Sequence, residues 1–197
     1  TKLRTVHKIG STTTTTDYCG NVIYENGTQK LLLTEEGYIN LAGTQQYHYY
    51  LKDHQGNNRV VINRSGTMEE TNHYYPFGGV FATAGNTQPY KYNGKEFDTK
   101  KGLNWYDYGA RHYDTALGRF MTNDRFAEKY YSMSPYQYGA NSPVVNIDVN
   151  GDSIRICTET QSFGHTWISV GEGSNMTVYS YGRYNGTNKG QIEALIL

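Results

Sequence analysis

The chain has 197 residues, with 18 lysines and arginines set against 18 aspartates and glutamates. That balance leaves no basic excess to hold nucleic acid or an acidic membrane surface. Hydrophobic residues make up only 37% of the chain and 20 of them are tyrosine, while 22 glycines outnumber four prolines; this is a tyrosine-rich β composition with many turns. No apolar run reaches the roughly 18 residues that a transmembrane helix needs. The chain starts at Thr1 and reads as a piece excised from something longer. Cys19 and Cys157 lie far apart, read as two free thiols, and define neither a metal site nor a compartment.

In chain order, the first hundred residues alternate strand-like runs with tight-turn signals. "ENGT" at 25–28, "HQGNN" at 54–58, "RSGT" at 64–67 and "YNGK" at 92–95 carry the glycine and asparagine that hairpin turns require. "KLLLTEEGYINL" predicts strand, turn and strand with Glu36–Gly37 at the tip, and "RVVINRSGTMEETNHYY" predicts the same pattern. Tyr-x-Tyr recurs at Tyr47/Tyr49, Tyr90/Tyr92, Tyr106/Tyr108, Tyr136/Tyr138 and Tyr179/Tyr181. A spacing of two puts both rings on one face of a strand, where they ladder with neighbours. Aspartate, glycine and then a basic or β-branched strand recur in "DYCGNVIY" and "DHQGNNRVVI". Such repetition predicts stacked hairpins that bury a face only against one another. Helix signals are confined to "DRFAEKYYSM" at 124–133, a short helix with Asp124 as its N-cap.

At 146–153, "NIDVNGDS" sets an Asn-Gly turn between Asp148 and Asp152. Asp148, Asn150 and Asp152 alternate as in a calcium loop, but the glutamate that closes such a loop is missing from its place, so no metal is expected. Beyond this point the register changes. "SIRICTE" and "HTWISVGEGSNMTVYSYGRY" predict strands, with a turn at 171–175. Arg155, Arg183 and Lys189 balance Glu159, Glu172 and Glu193, so no basic stripe marks a nuclease. A tail of about 45 residues is too short for an independently stable enzyme without staples; it is the start of a longer region or a short plug. "GHTWISV" resembles the histidine-bearing strand of papain-like amidases and transferases, which would pair His165 with Cys157 as base and nucleophile. The alternative is a structural histidine and a small buried cysteine.

The stretch "GLNWYDYGARHYDTALGRFMTNDRFAEKYYSMSPYQYGANSPVVNIDVNGD" (102–152) resembles the RHS-repeat-associated core of bacterial RHS/YD-repeat proteins. Tyr113–Asp114 followed by Leu117-Gly118-Arg119-Phe120 carries the likeness. Upstream, "YYLKDHQGNNRVVINRSGTMEETNHYYPFGG" (49–79) is similar to the YD repeats that precede that core. The resemblance implies a mainly β chain of repeated hairpins forming part of a curved shell. Its regions are a YD-repeat segment at 1–101, the core at 102–152 and the start of a variable effector or toxin region at 153–197. It also implies a bacterial product, secreted or at the cell surface, used in interbacterial competition. Its partners are then its own C-terminal toxin domain, an immunity protein and secretion machinery, with no cofactor. Tyrosine suits a shell wall, because the ring packs while the hydroxyl finds water or a polar partner.

In family members that cut themselves, two aspartates act as an aspartic-protease pair: one activates water and the other protonates the scissile amide. The resemblance places this pair at Asp124 and Asp148 and the scissile bond at Asp152–Ser153. Arg125 and Val149 stand where proline is usual, and Asp152 where an apolar residue is common. An arginine beside Asp124 favours its ionised form and opposes proton sharing, and loss of proline loosens the backbone. The alternative is that both aspartates only cap turns. Two other function classes stay open: a surface or secreted YD-repeat adhesion protein whose tyrosines stack on carbohydrate, and a thiol enzyme acting through Cys157 and His165.

Overall fold

The computed structural model describes residues 2–152 and, beyond them, the backbone of four short strands. Ser153, Cys157, His165 and the turn expected at 171–175 lie outside the described residues. The chain divides into two compact units, Thr1–Gly109 and Ala110–Leu197.

In the first unit nine strands form one sheet in chain order. They are β1 (Arg4–Ile9), β2 (Thr12–Cys19), β3 (Val22–Glu25), β4 (Thr28–Leu33), β5 (Gly37–Asn40), β6 (Gln46–Lys52), β7 (Asn58–Asn63), β8 (Met68–Tyr74) and β9 (Val80–Ala84). Each pairs antiparallel with the next, as hairpin-length connections dictate. β1 and β9 are the two edges, so the sheet is an open meander and not a closed barrel. The hairpins expected at 25–28, 54–58 and 64–67 are present, whereas 92–94 forms a 3-10 turn. Asn26 (φ 51°) and Gly27 (φ 80°) form the two-residue turn between β3 and β4, the left-handed pair that matches the twist of the flanking strands. Gly37 falls inside β5, not at the turn tip, and only glycine fits there because an added Cβ would sit 2.1 Å from the His48 carbonyl oxygen.

One face of this sheet packs Ile23, Leu31, Tyr38 and Val61 together, with Tyr18, Leu33, Tyr50 and Tyr90 against them. Tyr47 and Tyr49 share a face of β6, as their spacing predicts, and both are exposed. Other Tyr-x-Tyr pairs behave differently. Tyr92 lies in a 3-10 turn and Tyr106 in β11 (Trp105–Asp107), which pairs with β10 (Glu96–Asp98). Tyr92 contacts Tyr74 at 5.8 Å and Tyr106 at 6.0 Å between centroids, and Tyr106 stacks on Phe97 at 4.5 Å. The rings form a buried cluster of residues far apart in sequence. Burial pushes the Tyr74 and Tyr106 hydroxyls well above the usual phenol range, and the Tyr74 hydroxyl donates to the Asn58 carbonyl at 2.8 Å.

A buried charge ties the loop after β9 to the sheet. Glu70 on β8 accepts from Lys91 Nζ at 2.6 Å, Asn72 Nδ2 at 2.7 Å, Gln88 Nε2 at 3.1 Å and the Thr87 amide at 2.7 Å. Burial pushes this carboxyl up, but the bonds from Asn72, Lys91 and Thr87 outweigh it and hold Glu70 below the usual carboxylate range.

The second unit begins with β12 (His112–Asp114) and β13 (Arg119–Phe120), paired through Tyr113–Phe120 and Asp114–Arg119. Asp114 Oδ1 caps the intervening turn at the Ala116 amide, 2.8 Å away. Tyr113, Phe120 and Tyr138 form a fully buried aromatic cluster, with Tyr113 and Tyr138 4.4 Å apart. The helix expected over 124–133 is only a single 3-10 turn at Ala127–Lys129. Tyr131 is 90% exposed, so the segment has no apolar stripe to hold a longer helix. β14 (Asn146–Asp148) pairs with β15 (Ile154–Ile156), and β16 (Thr166–Val170), β17 (Thr177–Gly182) and β18 (Gln191–Ile196) form a three-stranded antiparallel sheet.

Lys91→Ala leaves the Glu70 carboxylate buried without its counter-charge and is expected to cost about 3–5 kcal/mol, read as a shift in the urea unfolding midpoint at neutral pH. Because the folded-state value of Glu70 is depressed, its contribution is complete above the ordinary glutamate value of about 4.3 and is lost as pH falls through the folded value. The stability gap between wild type and Glu70→Gln therefore narrows between pH 7 and pH 3, measured with the same titration.

Candidate functional site

The residues singled out in the sequence at 124, 148 and 152 meet in the second unit. Arg111, just before β12, organises them. Its side chain is 4% exposed, and its guanidinium lies 3.8 Å from the Phe120 ring centroid. Nη2 donates to Asp124 Oδ2 at 2.8 Å and stands 3.6 Å from Asp148 Oδ2. Nη1 donates to the Pro135 carbonyl at 3.1 Å, and Nε donates to the Gly151 carbonyl. One planar cation therefore holds two carboxylates, the turn before Tyr136, and the loop that follows β14. Burial pulls the Arg111 guanidinium below its ordinary value, and Asp124, Asp148 and Asp152 oppose that pull.

Both aspartates use their second oxygen on the backbone. Asp124 Oδ1 accepts from the Phe126 amide at 2.8 Å, and Asp148 Oδ1 accepts from the Gly151 amide. Each thus caps a turn with one oxygen and faces Arg111 with the other, so turn-capping and pairing coexist in the same side chains. Gly151 has φ 82°, a conformation that glycine adopts without strain, and this lets its N–H reach Asp148 while its carbonyl reaches Arg111. The Asp148 side chain is 2% exposed.

Asp152 and Arg125 complete the cluster. Arg125 Nη2 lies 2.5 Å from Asp152 Oδ2. The sequence suggested that Arg125 would bias Asp124; the guanidinium hydrogen-bonded to Asp124 is that of Arg111, 13 positions earlier. Adjacent side chains leave the backbone in different directions, and Arg125 reaches across to Asp152. Asp152 follows β14, which pairs with β15 with Asp148 opposite Ile154. The carboxylates of "DVNGD" each face a guanidinium, a poor setting for a cation. Arg111 is the residue that sequence reasoning missed. The available signal was an arginine inside the "YGARHYD" stretch, beside the Tyr113–Asp114 motif.

No family model matches the chain. Salivary gland surface protein 1 of Aedes aegypti is 37% identical over 119 residues, covering 58% of this chain and 3% of that protein. The uncharacterized protein YibJ of Escherichia coli (strain K12) is 30% identical over 110 residues, covering 54% of this chain and 46% of that protein. Among solved structures, TcdB2-TccC3-Cdc42 superposes with a TM-score of 0.63 at 20% identity, over 76% of this chain and 8% of that one. TcdB2-TccC3 without its hypervariable C-terminal region gives 0.62 at 18% identity over the same shares, 76% and 8%. A Photorhabdus luminescens Tc holotoxin pore carrying an Asp-to-Ala mutation in TccC3 gives 0.60 at 20%, again over 76% and 8%. The chain is therefore a mainly β, antiparallel hairpin protein. Over about three quarters of its length, 76%, its fold is similar to that of a segment of the TcdB2-TccC3 toxin complex, and it spans under half of each of these curated relatives.

Removing Arg111 strands two buried carboxylates. Arg111→Met is expected to destabilise the second unit by about 3–5 kcal/mol, seen as loss of amide hydrogen-exchange protection at Tyr113, Phe120 and Tyr138.

Proposed function

We propose that this chain is the shell-closing C-terminal segment of an RHS-family toxin or effector, and that Asp124 and Asp148 cut it at Asp152–Ser153 to free an enclosed cargo. The cargo begins after that bond, varies between such proteins, and serves competition between bacteria from a secreted or surface location. An immunity protein and secretion machinery are its expected partners. The fold shared with the TcdB2-TccC3 toxin complex supports the enclosing role.

The observation that carries the cutting role is the gathering of Asp124, Asp148 and the Gly151 carbonyl on one buried guanidinium. Three carboxylates (Asp124, Asp148, Asp152) stand here with two guanidiniums (Arg111, Arg125). We assign Asp124, which Arg111 bonds directly, the role of proton acceptor and Asp148 that of proton donor. In this reading, Asp124 takes a proton from water as the water oxygen bonds to the Asp152 carbonyl carbon. The carbon–nitrogen bond to Ser153 then breaks as Asp148 passes its proton to the departing nitrogen, leaving a carboxylate and an amine. Arg111 holds the preceding residue still through the reaction.

A chain carrying its natural continuation is expected to yield a fragment whose intact mass ends at Asp152, and Asp148→Asn or Asp124→Asn to leave the chain whole. Uncut wild-type protein by electrophoresis and intact mass would overturn the reading. A second reading, surface-displayed adhesion, draws on the exposed Tyr47 and Tyr49 pair of β6 and on the likeness to a protein named for a surface. Saturable binding of a soluble oligosaccharide, lost in Tyr47→Ala/Tyr49→Ala, is its expected signature.

A further inference from the structure

We infer that Arg125 is a positioning residue that grips the Asp152 side chain, so that the site selects an acidic residue immediately before the cut. This rests on the self-cleavage reading. The dipeptide Asp124–Arg125 supplies an acid to the Arg111 centre and, one residue on, a cation to the loop that is to be cut. Arg125 Nη2 meets Asp152 Oδ2 at 2.5 Å, with the acid 5% and the arginine 55% exposed. The guanidinium also sits 4.7 Å from the Phe126 ring centroid, which limits its swing. The acid is sequestered and its partner reaches in from the surface.

The neighbouring backbone explains why this matters. Gly151 is already held at both ends of its residue, its amide by Asp148 and its carbonyl by Arg111. Those two bonds fix the peptide before Asp152 but leave rotation about the Asp152 backbone, which aims the following carbonyl. Anchoring the Asp152 side chain removes that freedom, and misplacement of a reacting carbonyl by an ångström costs about a hundredfold in rate. Positions 125 and 152 are also two of the places where this sequence departs from the RHS pattern, and the two departures meet each other.

The test follows cleavage over time in the chain with its natural continuation, by electrophoresis with intact mass. Arg125→Ala and Asp152→Asn are each expected to slow cleavage about tenfold or more. Arg125→Lys is expected to keep most of the rate. The double variant Arg125→Leu/Asp152→Leu is expected to recover to within a few-fold of the parent, a non-additivity that general destabilisation does not produce. A parent that cleaves while Arg125→Ala and Asp152→Asn cleave at its rate overturns the grip and leaves the self-cleavage reading standing. Slow single variants with a double variant slower still overturn it as well. A parent that stays whole overturns the self-cleavage reading, and the grip with it.

Discussion

The second unit depends on one buried cation. Arg111 is shielded from water, which is unfavourable for a guanidinium unless every face is occupied. Here Phe120 covers one face of the plane, and its edge is spent on Asp124, Asp148 and the carbonyls of Pro135 and Gly151. Segments distant in sequence are therefore fixed to one another by a single side chain. The requirement runs both ways: the carboxylates need the cation as much as the cation needs them. A cluster that must form as a whole is conformationally specific.

The first unit meets a different constraint. Its sheet is short of aliphatic residues, so tyrosine and buried polar groups replace them. Tyr74 packs its ring on Tyr92 and sends its hydroxyl to a carbonyl, and Glu70 gathers the loop at 87–91 through charge-assisted bonds. Each such group is favourable only while all its partners are present. The sheet is thus held by polar knots among aromatic rings, which explains how a chain of low hydropathy still builds a wide sheet.

Much of this was legible in the residues. Turn signals such as Asn26–Gly27 specify hairpins because few residues tolerate positive φ, and the meander of nine strands follows from short connections. The tyrosine spacing was less informative. Tyr47 and Tyr49 obey the period of two, whereas Tyr92 and Tyr138 sit in irregular backbone and are placed by tertiary packing, to which local periodicity is blind. Asp124 and Asp148 were found through likeness to a family. Arg111 was not, because its partners lie 13 and 37 positions away and no local pattern encodes such a convergence. The same blindness assigned Arg125 to its chain neighbour instead of to Asp152.

The hairpin at the seam bears on what a cut would accomplish. β14 and β15 pair over Asn146–Ile156, Ile147–Arg155 and Asp148–Ile154, so the two ends created at Asp152–Ser153 would still be neighbours in a ladder. Three residue pairs are a weak hold, since an isolated two-stranded hairpin is marginal in water even when its turn is intact. Breaking the turn removes the covalent closure that makes the pairing intramolecular, and loop-closure entropy then opposes it. Under the proposed function, cleavage there would convert a tether into a reversible contact: the flanks would stay in register while enclosed, and would separate once nothing else confined them. A bond in a long exposed linker would give release without retention, and an uncut hairpin would give retention without release.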